Sequence, residues 1–320
     1  MCTAIRFQSK DQYFGRTLDL EYSYHEKVTV TPRNFPLPFR SAAPLQQHYA
    51  FIGIAILANG YPLYYDGVNE HGLYIAGLNF PGNASYSPVT QGNLNIAHFE
   101  IIPWVLGSFR STEELERACE HLTITDIPFS EEYPISHLHW FVGDKDGAIV
   151  IERTREGLSV CKNPAEVLTN NPPLPYQLDN LKKYLHLSNQ EVQSRYSCLS
   201  PDSRGTGSEG LPGDLTSRGR FVRAYFTKEN SVCKDSESAS VSQVFHILNS
   251  VSVTQGCILS GNQYVKTEYC SCCNASKGIY YYTTYENSQI TGVRLRSHIL
   301  DGKELTQYPL TRTQQFRMEN

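Results

Sequence analysis

The sequence predicts an α+β fold: a four-layer α-β-β-α sandwich built on two antiparallel sheets. Three observations carry that expectation. Strand-like runs follow one another from residue 2 to about residue 90 with no gap long enough for a helix. Helical spacing then comes in blocks, first around "NIAHFEIIPWVLGSF" and "STEELERACEHL" and again after residue 174. Further strand-like runs separate and follow those blocks. Two sheets with helices on their outer faces satisfy the order strands, helices, strands, helices, strands. The 320 residues suit one large domain or two small ones. The sandwich takes residues 1–320 as a single domain.

Each element has a local reason. "CTAIRF" and "YFGRTLD" are short β-prone runs separated by polar "QSKDQ", which predicts a hairpin. "KVTVTPR" alternates. "YAFIGIAILANG", "YPLYYDGVN" and "GLYIAGLNF" read as buried strands ended by Gly, Asn or Pro, so the first third is expected to be an antiparallel meander. In "NIAHFEIIPWVLGSF" the period becomes helical, with Pro103 expected to kink or break the helix. In the next helix Ser111 and Glu114 have capping-box spacing, and Leu115, Ala118, Cys119 and Leu122 form its apolar stripe. These two helices should lie on one sheet face. "HLHWFVGD", "AIVIERT" and "GLSVCK" are strands again. "EVLTNNPPLPYQLDNLKKYL" ends a strand at Asn170 or Asn171, is broken by Pro172 and Pro173, and continues as a helix. Residues 197–219 are dense in Gly, Ser and Pro and read as a long loop, part of a protrusion at about 188–219. "RFVRAYFTKE" and "SVSQVFHILNSV" look helical, and "YVKTEYCSCC", "GIYYYTTYE" and "TGVRLRS" are late strands.

Composition narrows the function. Hydrophobic residues make up 40 % of the chain, and Tyr (21) and Phe (14) are abundant, which favours strands and aromatic-lined pockets. The net charge of −4 gives no basic face, so nucleic acid is not expected as a partner. No apolar run reaches the ~18–20 residues of a membrane helix. The N-terminus has no charged segment followed by an apolar one, so a soluble protein is expected, cytoplasmic or released without a signal. Nine scattered cysteines, an odd number, are then expected to be reduced thiols.

The sharpest chemistry lies at position 2. Loss of Met1, favoured when the next residue is small, would leave Cys2 with a thiol and an α-amine on one residue. An α-amine titrates at about 7.7–8.0, so it is a usable general base near neutrality. A deprotonated thiol is a strong nucleophile. Nucleophile and base would then share one residue. The plain alternative is that Cys2 is merely a small residue behind Met1. Arg16 and Asp19 lie in the strand expected to pair with the Cys2 strand. An arginine there would stabilise a thiolate, and a carboxylate there would orient the amine. Residues three apart face opposite sides of a flat strand, so bringing both to Cys2 requires a bend after Arg16. Acyl transfer also needs oxyanion donors. Asn79 in "GLNFPG" and Asn170 in "TNNP" are candidates at strand ends, where asparagine also serves ordinary turns. His137 and His139 alternate and would share a strand face, as a metal pair or as core histidines. "CSCC" at 270–273 has no second C-x-x-C and no nearby histidine, so it supports zinc weakly. "GTGSEG" does not join a strand to a helix and is no dinucleotide fingerprint.

Together these motifs resemble the choloylglycine hydrolases, also called bile salt hydrolases, and their sister penicillin V acylases, within the N-terminal nucleophile hydrolases. "MCTAIRF", "YFGRTLD", "VTPR", "NEHGLYIAGLNFPG", "LHWFVGD", "VLTNNP", "GLPGD" and "RFVR" occur in that family's order and spacing, over residues 1 to about 225, and "YYYTTYEN" extends the likeness. The resemblance implies the sandwich fold and cysteine amidase chemistry. Cys2 would be the nucleophile, Arg16 would contact the thiol and Asp19 the α-amine. Asn79 through its backbone and Asn170 through its side chain would form the oxyanion hole, with Arg220 beside the nucleophile. It also implies a homotetramer with 188–215 as the inter-subunit loop, and no metal or organic cofactor. Conjugated bile salts are the implied substrates. Tyr24, Leu63, Tyr65 and Phe129, from aromatic-rich loops, are expected to wall an apolar acyl pocket. Two alternatives stand beside this reading: a penicillin V or other N-acyl amide hydrolase, and a non-catalytic zinc or thiol protein using Cys270, Cys272 and Cys273.

Overall fold

The computed structural model describes residues 1–200 and 203–320. Strands β1 (Cys2–Gln8) and β2 (Gln12–Leu20) form the expected hairpin. β3 (Lys27–Thr31), β4 (Phe51–Ala58), β5 (Tyr61–Asn69) and β6 (Tyr74–Asn79) form a meander. The β4–β5 turn is Asn59-Gly60, with φ of 50° and 80°, the left-handed pair that matches strand twist in a two-residue hairpin. The first two strands do not continue into this meander. They enter a different sheet, a difference that local alternation does not encode.

The helical blocks are shorter than their periodicity suggests. Leu94–Ala97 is strand β7, and α1 begins only at Ile101 (Ile101–Ser108). Pro103 neither kinks nor breaks α1. It sits in the first turn, where its missing N–H would have had no intrahelical partner. α2 (Thr112–Ala118) starts at its Ser111 cap, whose side chain accepts from the Glu114 N–H, while Glu114 returns a bond to the Arg110 N–H. Leu122 belongs not to the helix stripe but to β8 (Leu122–Thr125), which pairs in parallel with β7. β9 (Leu138–Asp144), β10 (Gly147–Thr154) and β11 (Gly157–Lys162) follow, then the two-residue β12 (Val167–Leu168).

After α3 (Leu174–Leu181) comes an irregular segment, of which 201–202 lie outside the described residues. It ends at residue 216 rather than 219, because Thr216 caps α4 (Ser217–Glu229) by accepting from the Gly219 N–H. α5 (Glu237–Asn249) is capped by Ser236 in the same way. The small hairpin β13 (Leu259–Ser260) and β14 (Gln263–Tyr264) leads into β15 (Lys266–Asn274), β16 (Ile279–Thr284), β17 (Asn287–Arg294) and β18 (Thr306–Pro309).

Two large sheets result. One has six strands in the order β12-β1-β2-β15-β16-β17, the other eight in the order β11-β10-β9-β6-β5-β4-β3-β18. Every pairing within these two sheets is antiparallel. α4 and α5 cover the outer face of the first sheet, and α1 and α2 cover that of the second. The architecture is thus the expected α-β-β-α sandwich. Alternation along β2 fixes what each layer sees. Phe14 points between the sheets and stacks on Tyr74 of β6, with centroids 5.0 Å apart. Gly15 points outward, and a Cβ there would lie 2.9 Å from Val244 of α5.

Candidate active site

Cys2 opens β1 opposite Leu18 of β2, so its side chain enters the space between the sheets. Arg16 lies two residues along that same face of β2. Its Nη2 donates to the Cys2 Sγ at 2.8 Å. Nη1 donates to the carbonyls of Tyr65 at 2.9 Å and Gly77 at 3.0 Å, both on the second sheet. Those carbonyls are free for a local reason. β5 and β6 pair only over Asp66–Val68 and Tyr74–Ala76, and then separate. Tyr65 is the unpaired residue of a bulge against β4, between the Ile54–Asp66 and Ala55–Tyr64 pairs. Arg16 fills the split.

Behind it lies Asp66, fully buried, accepting from Tyr280 Oη at 2.6 Å and Ser271 Oγ at 2.8 Å. Burial pushes the Asp66 carboxyl above its usual range, against the pull of Arg16 and these two hydroxyls. Burial also works against the Arg16 charge, but Cys2, Tyr269 and Asp66 outweigh it and hold the guanidinium firmly protonated.

The bend anticipated after Arg16 is absent, and the Asp19 carboxylate is not brought to Cys2. β2 runs unbroken to Leu20, and Asp19 faces the helix side. The irregularity lies instead in β15, between Thr267 and Tyr269, where Glu268 is the extra residue. The Asp19 carboxylate accepts from Thr267 Oγ1 at 2.6 Å and Thr17 Oγ1 at 3.3 Å, and lies 3.9 Å from Arg220 Nη1. It does not touch the Cys2 nitrogen. Met1 is in place, so that nitrogen is a peptide N–H, and it donates to Asn170 Oδ1 at 2.9 Å. Asp19 meets the chain start through its backbone: its N–H donates to the Met1 carbonyl and its carbonyl accepts from the Met1 amine.

Asn170 is held from three sides. Arg220 Nη2 donates to its Oδ1 at 2.7 Å. Because a guanidinium cannot accept, Oδ1 must face it, which leaves Nδ2 to donate to the Asn79 carbonyl at 2.8 Å. The Asn170 N–H donates to Ser217 Oγ at 2.9 Å. Arg220 is fully buried and also donates to the Cys2 carbonyl at 2.6 Å, Thr3 Oγ1 at 2.7 Å and the Leu215 carbonyl at 3.2 Å. Burial pulls its guanidinium below the ordinary arginine value, opposed by Asp19 and Cys2. Arg223, one turn on, points away to the carbonyls of Pro212 and Asp214. The first turn of α4 therefore supplies both Ser217 and Arg220. Reading that turn as loop concealed Ser217. Asn79 follows Gly77 by two residues on β6, so the backbone groups of both lie along the edge where β5 has left.

The Cys2 side chain opens on a cavity of about 380 Å³. Tyr24, Leu63, Tyr65 and Phe129, the expected wall residues, all line it, as do Gly77 and Asn79. Further lining residues were not legible in the sequence. Leu18 and Leu20 share the Arg16 face of β2, His98 and Phe99 come from the turn into α1, and Ile102 from the first turn of α1 itself. Arg40 steadies the Phe129 side. Its Nη2 donates to the Phe129 carbonyl and its guanidinium lies 5.4 Å from that ring.

Other clusters are drawn to different ends. His139 is buried and stacks on Phe80 at 4.2 Å, bonded to Glu152 and to the Thr169 carbonyl. It braces the residue before Asn170 and does not pair with His137, whose ring lies 6.3 Å from Tyr86. Alternation sends Cys270 and Cys272 to the helix side of β15 and Cys273 between the sheets, so the three thiols do not converge. Among the described residues no group of three His, Cys, Asp or Glu side chains is arranged to hold a metal ion.

The family comparison decides the kinship. A model of the linear amide C-N hydrolases, choloylglycine hydrolase family, matches residues 2–308. The chain belongs to this family. Two curated relatives named "Bile salt hydrolase/transferase" support the assignment. That of Lactiplantibacillus plantarum is 51 % identical, covering 100 % of both chains. That of Clostridium perfringens is 38 % identical, covering 98 % of both. The crystal structure of a C2A mutant of the conjugated bile acid hydrolase from Clostridium perfringens superposes on this choloylglycine hydrolase family member with a TM-score of 0.94, at 37 % identity over 100 % of both chains. A penicillin V acylase from Agrobacterium tumefaciens shares the fold with a TM-score of 0.77, at 19 % identity over 97 % of this chain and 92 % of that one. The family member is accordingly an enzyme of the linear-amide C–N hydrolase type. No helix among its described residues is long and apolar enough to cross a membrane.

Proposed function

We propose that this enzyme hydrolyses the amide of conjugated bile salts, releasing the free bile acid and glycine or taurine. The observation that carries the reading is the Cys2 thiol, held 2.8 Å from a buried arginine and opening on a cavity walled mainly by aromatic and aliphatic side chains. The bile salt hydrolases it resembles over their full length support the same substrate class.

The proposed mechanism begins with loss of Met1. The nitrogen now bonded to Asn170 becomes an α-amine, and it takes the thiol proton. The thiolate, balanced by Arg16, attacks the amide carbonyl from the cavity. The oxyanion is held by the Asn79 N–H and Asn170 Nδ2, each worth about 3–4 kcal/mol of barrier. The C–N bond breaks, and the α-ammonium gives its proton to the departing nitrogen. Water, deprotonated by the same amine, then cleaves the acyl-thioester and restores the thiol. In this scheme Asp19 and Arg220 position the chain start and Asn170 rather than touch substrate. We further infer that residues 1–320 work as one domain in a cytoplasmic homotetramer, with the segment near 188–215 between subunits.

The test is amino-acid release by ninhydrin from taurocholate and glycocholate beside penicillin V hydrolysis, with intact mass reporting Met1 removal. Release from the bile salts is the expected result. Turnover of penicillin V alone would move the enzyme to the acylase reading. No turnover of any of the three with Met1 removed would refute both.

A further inference from the structure

The part of the cavity wall that carries Tyr24 has little of its own to hold it. Residues 21–26 join β2 to β3, and Glu21 and Tyr24 line the cavity. Among the described residues no backbone-to-backbone hydrogen bond ties this loop to itself or to either sheet. Tyr22 and Tyr24 lean on each other with their hydroxyls 3.0 Å apart, and both are exposed. His25 takes a left-handed φ of 60°, which a residue with a side chain keeps only where its surroundings hold it.

The hold comes from far along the chain. Arg312 lies just past β18. Its Nη2 donates to Ser23 Oγ at 2.7 Å and to Glu26 Oε1 at 3.2 Å. Its Nη1 donates to Glu268 Oε2 and Glu286 Oε2, each at 3.1 Å. The side chains of Glu26 and Glu268 are both 1 % exposed. Lys266 helps to balance Glu268 and Glu286, but among the described residues Arg312 alone is ion-paired with Glu26. The Arg312 backbone is anchored next door: the Thr311 N–H donates to Tyr282 Oη at 3.1 Å, and its carbonyl accepts from Thr284 Oγ1 at 3.0 Å.

A buried carboxylate needs a matched partner, and the planar fork of a guanidinium serves several acceptors at once, as an ammonium does not. Glu268 is the extra residue of the β15 bulge. It sits between Thr267, which bonds Asp19, and Tyr269, whose ring lies 6.0 Å from the Arg16 guanidinium. One side chain therefore joins the cavity loop to the strand behind the catalytic residues.

We propose that Arg312 is a positioning residue for the acyl cavity, a latch that binds Ser23 and Glu26 on one side and Glu268 on the other and so fixes the Tyr24 wall relative to Cys2. It touches no reacting atom. The bound acyl group is that of the bile-salt reading, on which this inference rests.

The test measures kcat and KM for glycocholate with the full-length, Met1-processed enzyme. Arg312→Gln should raise KM about tenfold, roughly the worth of one aromatic side chain against an apolar ligand, and leave kcat within about twofold. Arg312→Lys, which keeps the charge, should recover part of the loss. Tyr24→Ala should add little in the Arg312→Gln background, because the wall is already displaced. An unchanged KM, a loss confined to kcat, or KM effects that multiply in the double variant would each overturn the proposal. Circular dichroism checks folding. Should Arg312→Gln misfold, Glu26→Met decides by the same KM criterion, since it cuts the loop arm without stranding a buried charge. A second readout needs no substrate. Chymotrypsin cleavage after Tyr22 and Tyr24, followed by mass against cleavage after exposed Tyr196, should rise several-fold in Arg312→Gln and Glu26→Met. An unchanged ratio overturns the latch. If wild type turns over no conjugate, the bile-salt reading falls, and the cleavage ratio alone decides whether Arg312 holds the loop.

Discussion

Removing the Arg220 guanidinium is the most informative perturbation, because it tests how the chain start is held. Arg220→Met keeps the stem and deletes the charge. Four acceptors lose a donor within 3.2 Å: the carbonyls of Cys2 and Leu215, Thr3 Oγ1 and Asn170 Oδ1. The Asp19 carboxylate, fully buried, keeps its two threonine hydroxyls but loses the positive charge at 3.9 Å. Breaking one side of a buried ion pair costs about 3–5 kcal/mol, since the remaining charge stays desolvated. For a chain of this size, at about 2.1 cal/mol/K of unfolding entropy per residue, that is a fall in Tm of about 4–7 °C. Urea denaturation followed by circular dichroism reads the stability. Asp19→Asn in the Arg220→Met background should recover about 1–3 kcal/mol, because it removes the stranded charge. The same variant frees Asn170 to rotate, so kcat should fall about 100-fold or more. A variant within 1 kcal/mol of wild type, or losses that simply add in the double mutant, would refute the view that Arg220 serves Asp19 and Asn170 together.

Other expectations follow from the same geometry. Cys2→Ala should abolish amide hydrolysis while leaving the circular dichroism spectrum unchanged. Residual turnover in that variant would sink the thiol mechanism. Protein that retains Met1, identified by intact mass, should be inactive, and an active retained form would contradict the amine's role as base. Gly53→Ala would place a Cβ 2.0 Å from the Asp66 carbonyl and 2.7 Å from the Gly67 Cα, so stability should fall by about 3 kcal/mol or more in denaturant titration. His98 is held neutral, with its pKa lowered from an ordinary 6.5 to about 4. Its contribution is therefore present above pH 6.5 and lost as pH falls towards 4, because the unfolded chain takes up the proton first. That loss is worth about 3 kcal/mol at most. A stability–pH curve for His98→Leu should be flatter over this window, and an identical acid limb would show that the imidazole does not titrate there.

Much of this architecture is written locally. The hairpin of Cys2 and Arg16 follows from two β-prone runs and a polar turn, and its register brings the two side chains into contact. The four wall residues read as parts of aromatic-rich loops, which holds for Tyr24 and Phe129 but not for Leu63 and Tyr65, which lie within β5. Pairing between distant segments was not legible. Nothing local in β2 shows that its other neighbour is β15, some 250 residues on. Bulges are similarly silent: Tyr65 and Glu268 look like ordinary strand residues, yet each is the extra residue that reshapes the site. Helical periodicity misled at Asn95–Ala97 and Leu122, because short buried strands and helix stripes share apolar composition. Ser217 was hidden by the Gly- and Ser-rich composition around it, although Thr216 carries the cap signal that starts α4.

The wedge that Arg16 drives into the gap between β5 and β6 has a consequence for the life of the chain before it is complete. The thiol and the guanidinium ride on one sheet, and the carbonyls that aim the guanidinium ride on the other. Asn170 and Arg220 reach the chain start from some 170 and 220 residues away. A nascent or half-assembled molecule therefore exposes an ordinary cysteine. In the proposed mechanism the thiol meets its arginine's full set of anchors only when the two layers close on each other, so the change in modification of Cys2 by a thiol reagent would report that closure and serve as a clock for the last step of assembly.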